Sequence, residues 1–250
     1  MNTPITNTST KSTASVDAGL LTYMNTIYKT MAGAVFLTAI ISYFFGMDLV
    51  ALKAGESTLL PQGLVTGLLT PPMSYIIMFA PILMILGIGF LVKDASARVI
   101  NTMTTIISIL MGLSMSVIFV VYTQMSIAQI FFATSAMFAG LSLWGYTTGK
   151  DLSGWGKFLF MGLIGIIIAS IINIFVGSSA LQFAVSTIAV LVFSGLIAYE
   201  TQSLKTAYIS GRHHMSDEEI NRIAAWGALS LYLDFVNLFM ALLQLFGEKD

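Results

Sequence analysis

The chain has 250 residues, of which 56% are hydrophobic and only 9% charged. A soluble domain carries about 25% charged residues, so this composition belongs to an integral membrane protein in a lipid bilayer. A net charge of −1 argues against nucleic acid as a partner, and the absence of cysteine excludes disulfides, thiolate metal sites and Cys nucleophiles.

Residues 1 to about 25 are polar, dominated by Thr, Ser and Asn with no apolar period. They read as a disordered cytoplasmic tail. They contain no apolar h-region, so a cleaved signal peptide is not expected. Residues 26–250 form the second unit, a transmembrane domain with seven apolar segments. These run roughly from Thr30 to Val50, Met73 to Val92, Val99 to Thr123, Ser126 to Thr147, Gly156 to Val176, Ala180 to Gln202 and Trp226 to Gly247. Each is long enough to cross a bilayer as a helix. The fold class is therefore all-α, a polytopic bundle of seven transmembrane helices. Pro81 predicts a kink in the second. The links between the third and fourth and between the fifth and sixth are very short, which predicts antiparallel hairpins. Gly112, Ser114, Gly140, Gly162 and Gly165 are small enough to let helices approach closely.

Orientation follows from the basic residues. With the N-terminus in the cytoplasm, nine of them fall on that side: Lys11, Lys29, Lys93, Arg98, Lys150, Lys157, Lys205, Arg212 and Arg222. Lys53 and Lys249 fall on the other, together with the C-terminus. Trp144 and Trp155 flank the Lys150 loop as interface aromatics do, and Lys150-Asp151 reads as a solvated pair. The loop after the sixth segment carries its own signals. Gly211 is placed to stop a helix that runs on past the membrane. Ser216 to Glu219 is a capping box that starts the next helix. His213 and His214 are adjacent, point in different directions and read as solvated rather than as a metal site.

Two acids stand out. Asp234 lies inside the last segment, where a carboxylate must face helices, water or a partner. Asn237 shares its helical face, and Gln244 lies close to that face, so the last helix has a polar stripe that the others should wrap. Asp234 is either a structural hydrogen-bonding group or a functional acid. Glu200 closes the sixth segment on the cytoplasmic side. It is either an interfacial residue reaching headgroups or a partner for Asp234, which lies about 12 Å of helix beyond Trp226. Two carboxylates in one low-dielectric site share a proton more readily than both ionise. Such a pair closes a pore in one protonation state and binds a cation when fully ionised. Asn173 reads as an interhelical hydrogen bond or a pathway residue.

Three blocks carry a resemblance: L-W-G-Y-T-T-G-K-D-L-S-G-W-G-K-F-L-F-M-G-L-I-G, A-Y-E-T-Q-S-L-K and L-S-L-Y-L-D-F-V-N-L-F. They resemble the Bax inhibitor-1 family of transmembrane BAX inhibitor motif proteins, and within it the bacterial YccA-like branch, over about residues 20 to 247. The resemblance implies seven helices with the last at the centre. It implies a pH-sensitive calcium leak gated by acids on the sixth and seventh helices, here Glu200 and Asp234, with calcium as the permeant or transiently bound ion and no other cofactor. The family usually has Asp at the first of these places; Glu200 is one methylene longer. Some members latch the acids with an arginine at the cytoplasmic end of the second helix, for which Lys93 and Arg98 are the nearest candidates. YccA-like relatives also imply a second reading: a non-transporting partner of a membrane-anchored ATP-dependent protease, or of a stress response, working through the N-terminal tail. A bacterial inner membrane is the implied location. An enzyme is not expected, because the chain has no Gly-x-Gly-Asp, His-Glu-x-x-His or Gly-x-Ser-x-Gly run. The last segment has no internal lysine to hold retinal.

Overall fold

The computed structural model describes residues 8–74, 77 and 95–250, with side-chain surroundings from residue 18 onward. Most of the second apolar segment, with Pro81 and Lys93, lies outside the described residues. The elements are α1 (Thr8–Ala54), α2 (Gln62–Leu69), α3 (Ala97–Met115), α4 (Ile118–Val121), α5 (Gln124–Thr147), α6 (Ser153–Val176), α7 (Ser179–Gly211) and α8 (Asp217–Phe246). Among the described residues six helical stretches are long and apolar enough to cross a membrane: Ala18–Ala54, Ala97–Val121 and the four helices α5 to α8.

Helix α1 departs most from the sequence reading. Helix begins at Thr8, inside the stretch expected to be disordered, and Leu20, Tyr23 and Met24 are buried. The physical reason lies in those three side chains. At spacings of three and four they share one face, and Tyr23 stacks on Tyr208 of α7 with ring centroids 4.8 Å apart. Docking on α7 supplies the packing that a polar tail alone lacks. At 1.5 Å per residue α1 is about 70 Å long, more than twice the hydrocarbon thickness.

The third apolar segment is interrupted. After α3 the Ser116 N–H donates to both Gly112 O and Leu113 O, at 3.1 and 3.3 Å, and its hydroxyl bonds Leu113 O at 2.6 Å. This tightens the turn, and the chain resumes as the single turn α4. The joint between α6 and α7 is Gly177–Ser178. Gly177 takes the left-handed conformation (φ 64°) that glycine adopts without steric cost, and the Ser178 hydroxyl caps α7 by accepting from Leu181 N–H. Helices α6 and α7 pack together as a hairpin, whereas α3 and α5 each lean on α8 rather than closely on one another.

Helix α7 runs to Gly211, as its stop signal predicts, and α8 opens on the capping box of Ser216 and Glu219. In the α5–α6 loop, Asp151 does not pair with Lys150. It accepts the Ser153 N–H at 2.8 Å, which holds its carboxyl below the ordinary aspartate range.

Helix α8 is the axis. It packs against α1, α3, α5 and α7. In its most apolar 18-residue window 61% of residues are buried, against 6% for α6, which stands on the outside against α7. Leu231, Tyr232, Leu238 and Leu243 are completely enclosed. Close approach is bought by small residues, though not all those expected. A Cβ on Gly112 would meet Ile41 at 2.8 Å, and one on Gly162 would meet Val192 at 2.9 Å. Gly140 and Gly165 face open space instead. At Gly145 of α5 the helix meets backbone rather than side chain: a Cβ there would fall 2.3 Å from the Ala198 carbonyl oxygen of α7.

Candidate functional site

Helices α7 and α8 form the most extensive pair in the described bundle, and this contact brings Glu200 and Asp234 together. Asp234 is buried, with 5% of its surface exposed, and Glu200 is partly buried beside it. Their carboxyl groups are close enough to interact both through charge and through the side chains. Ser230 stands one turn before Asp234 on the same face of α8, and its hydroxyl donates to Glu200 Oε1 at 2.6 Å. Glu200 Oε2 and Asp234 Oδ2 are enclosed and have no hydrogen-bond partner among the described residues.

The motif around Glu200 is fixed by its neighbours. Tyr199 packs against Gly156 of α6, where any Cβ would meet the phenol ring at 2.5 Å. Gln202 staples the α5–α6 loop, accepting the Leu152 N–H and donating to Lys150 O, both at 2.8 Å. Lys205 donates to Tyr146 O at the C-terminal end of α5 at 2.8 Å, with its ammonium 4.9 Å from the Tyr146 ring centroid. Tyr-Glu-Thr-Gln is thus a docking strip that holds Glu200 at a set height and rotation.

The other expected site residues lie apart. Asn237 is half-buried and donates back to Leu233 O of its own helix at 2.8 Å. Asn173 belongs to a polar chain near the opposite end of α8: its amide donates to Gln182, Gln182 donates to Gln244, and Gln244 also accepts from Ser186. Arg98 is exposed at the start of α3. Among the described residues neither acid makes an ion pair, and no third acid or histidine joins them to form a metal-binding group. Calcium takes about six to eight oxygen ligands, so the pair with Ser230 supplies part of a shell.

Sequence reasoning missed three features. Ser230 stands four residues before the acid, a spacing that a small packing residue would share. Tyr232, fully buried, shares a 2.8 Å hydrogen bond with Thr38 of α1, which donates in turn to Ser108 O of α3 at 3.0 Å; this ties three helices together two residues before Asp234 on α8. Asp48, only 2% exposed near the far end of α1, accepts the Leu59 and Leu60 N–H groups at 2.7 and 2.9 Å and closes the loop before α2.

The chain is similar to known proteins over nearly its whole length. The family described as "Inhibitor of apoptosis-promoting Bax1" matches residues 20–250. An uncharacterized protein of Caulobacter vibrioides is 39% identical over 240 residues, covering 93% of this chain and 91% of that one. The "Inner membrane protein YbhL" of Escherichia coli K12 is 39% identical over 234 residues, covering 93% and 94%. An uncharacterized protein of Rickettsia prowazekii is 36% identical over 245 residues, covering 98% and 97%.

Proposed function

We propose, given that this chain belongs to the Bax inhibitor-1 family, that it is a proton-regulated cation leak, with calcium as the principal ion and Glu200 and Asp234 as its gate. One observation carries the reading: two carboxyl groups meet between α7 and α8, each with an enclosed oxygen that no described hydrogen-bond donor satisfies. A shared proton holds such a pair together and so joins the two helices. When both acids ionise, their repulsion parts the helices and offers a divalent cation two hard oxygen ligands. In this reading the apolar run from Met73 to Val92, known from sequence alone, is counted as the seventh span beside the six that are described. Lys93 and Arg98 then stand on the cytoplasmic side as charges available to the ionised pair. The excess of basic residues on one side favours a cytoplasmic N-terminus, and the name of the Escherichia coli relative, an inner membrane protein, supports an inner-membrane location.

The test is calcium entry into liposomes containing the purified protein and a calcium dye, from about pH 5 to pH 8. The parent chain is expected to leak with a pH dependence that Glu200→Gln and Asp234→Asn each flatten or displace. Two folded variants with the parent's profile would remove the acids from the gate. A folded parent chain that passes no calcium above empty liposomes would remove the leak itself.

A further inference from the structure

Helices α1 and α5 are not a closely packed pair; both rest on α8 and leave a seam between them. Towards the C-terminal end of α8 this seam widens into a crevice of about 380 Å³, within the ~300–1,000 Å³ of small-molecule sites. Ser42 and Tyr43 line one wall, Ala128 and Phe132 the other, and Phe235 and Phe239 of α8 form the floor. Among the described residues that line it none is charged, which suits neither an ion nor a charged substrate. The rim is exposed, Tyr43 by 47% and Phe132 by 73%. Both walls are helices long and apolar enough to span a membrane, so the opening faces acyl chains rather than water.

Inside sits a polar group that packing does not explain. Ser42 is 4% exposed and its hydroxyl has no partner among the described residues. Many helical hydroxyls in this chain bond back to the preceding turn, among them Ser108 to Thr104 O, Thr134 to Ile130 O and Ser135 to Phe131 O, all between 2.7 and 2.8 Å; Ser194 and Thr201, like Ser42, do not. Ser42 has the same option and leaves it unused. A buried hydroxyl without a partner costs stability, so a group entering the crevice with a hydrogen-bond acceptor is favoured there. The seam repeats the device nearer the N-terminal half of α1. A second crevice, of about 370 Å³, is lined by Met24, Tyr28 and Ser142, and Ser142 is 5% exposed with its hydroxyl likewise unpartnered.

We propose that the wider crevice is a binding site for one membrane phospholipid. One acyl chain lies on Phe235 and Phe239, and its ester carbonyl accepts from Ser42. An ester-linked chain supplies both of the things the site calls for, apolar length and one acceptor for the Ser42 hydroxyl. A phospholipid is the molecule that surrounds the opening at high concentration. The site is separate from the acid pair and does not depend on ion transport.

The full chain, reconstituted with a phosphatidylethanolamine carrying a photoreactive diazirine in its acyl chain, tests this by mass-spectrometric mapping of the label. The expected result is heavier labelling at Tyr43 and Phe132 than at Phe175, which is 84% exposed on the outer face of α6 and reports ordinary lipid contact. Ala128→Trp, which fills the crevice, is expected to abolish the seam label. Ser42→Ala is expected to lower it about fivefold, the loss of one hydrogen bond, with Phe175 unchanged in both. Equal labelling of seam and Phe175 in the parent overturns the site. So does a seam label that Ser42→Ala leaves intact, or one made only by a diazirine fatty acid. Should Ala128→Trp fail to fold, Ser42→Ala, a near-isosteric change, decides.

Discussion

At the scale of single residues, the proposed gate would rest on a hydroxyl as well as on two acids. Ser230 donates to Glu200 at 2.6 Å, and a donor of this kind favours the ionised carboxylate. Ser230→Ala removes that support, so in the leak reading the pair holds its proton to higher pH. The flux profile is expected to move upward by about one pH unit, the equivalent of one charge-assisted hydrogen bond. An unchanged profile in proteoliposomes would mean that the hydroxyl only packs. Glu200 and Asp234 were legible in the sequence because an acid in an apolar run has no cheap place to go. Ser230 was not, because serine is an ordinary small residue at helix contacts and nothing in its spacing separates a donor from a spacer. Asp48 was missed for another reason. It sits near the end of an apolar segment, where an acid reads as interfacial, yet the loop folds back so that two backbone N–H groups enclose it.

At the scale of helices, hydropathy located the spans and local chemistry located their ends. Gly211 and the Ser216 capping box mark the α7–α8 corner as expected. The start of α1 was not legible, since Gly19 and Tyr23 dock on Tyr208 of α7, which lies far away in sequence. Nor does the sequence say which glycines touch. Gly145 and Gly140 lie five residues apart on α5, but a helix turns five residues by more than a full revolution, to a different face. Only Gly145 meets the Ala198 backbone. Gly145→Val is expected to cost about 1–3 kcal/mol through overpacking, whereas Gly140→Ala should change stability by less than about 1 kcal/mol. Unfolding of the two variants in detergent compares them directly; equal losses would mean that the α5–α7 crossing has room to spare.

For the whole molecule, burial is graded from α8 outward, and sequence shows this only in part. The polar stripe marks α8 as a wrapped helix. By contrast, α6 is as apolar as any core segment, and a lipid-facing surface resembles a buried one in composition. Leu238→Ala, in the enclosed face of α8, is expected to cost about 2–5 kcal/mol; Phe175→Ala, on the open face of α6, should lie within about 0.5 kcal/mol of the parent. Thermal unfolding in one detergent orders them, and a reversed order would displace α8 from the centre. The C-terminal residues add a mechanical consequence. Beyond α8 the chain is tied to the α4–α5 corner: Thr123 N–H donates to Glu248 O, Asp250 N–H donates to Val121 O, and Glu248 N–H donates to the Ser126 hydroxyl, all within 3.2 Å. One end of α8 is therefore clamped, and Asp234 sits on a fixed strut. If the acids part, the moving member is α7, swinging about its short hinge at Gly177–Ser178. Its Gln202 staple would drag the Lys150–Leu152 loop along, so that a displacement inside the membrane is written on the protein's surface.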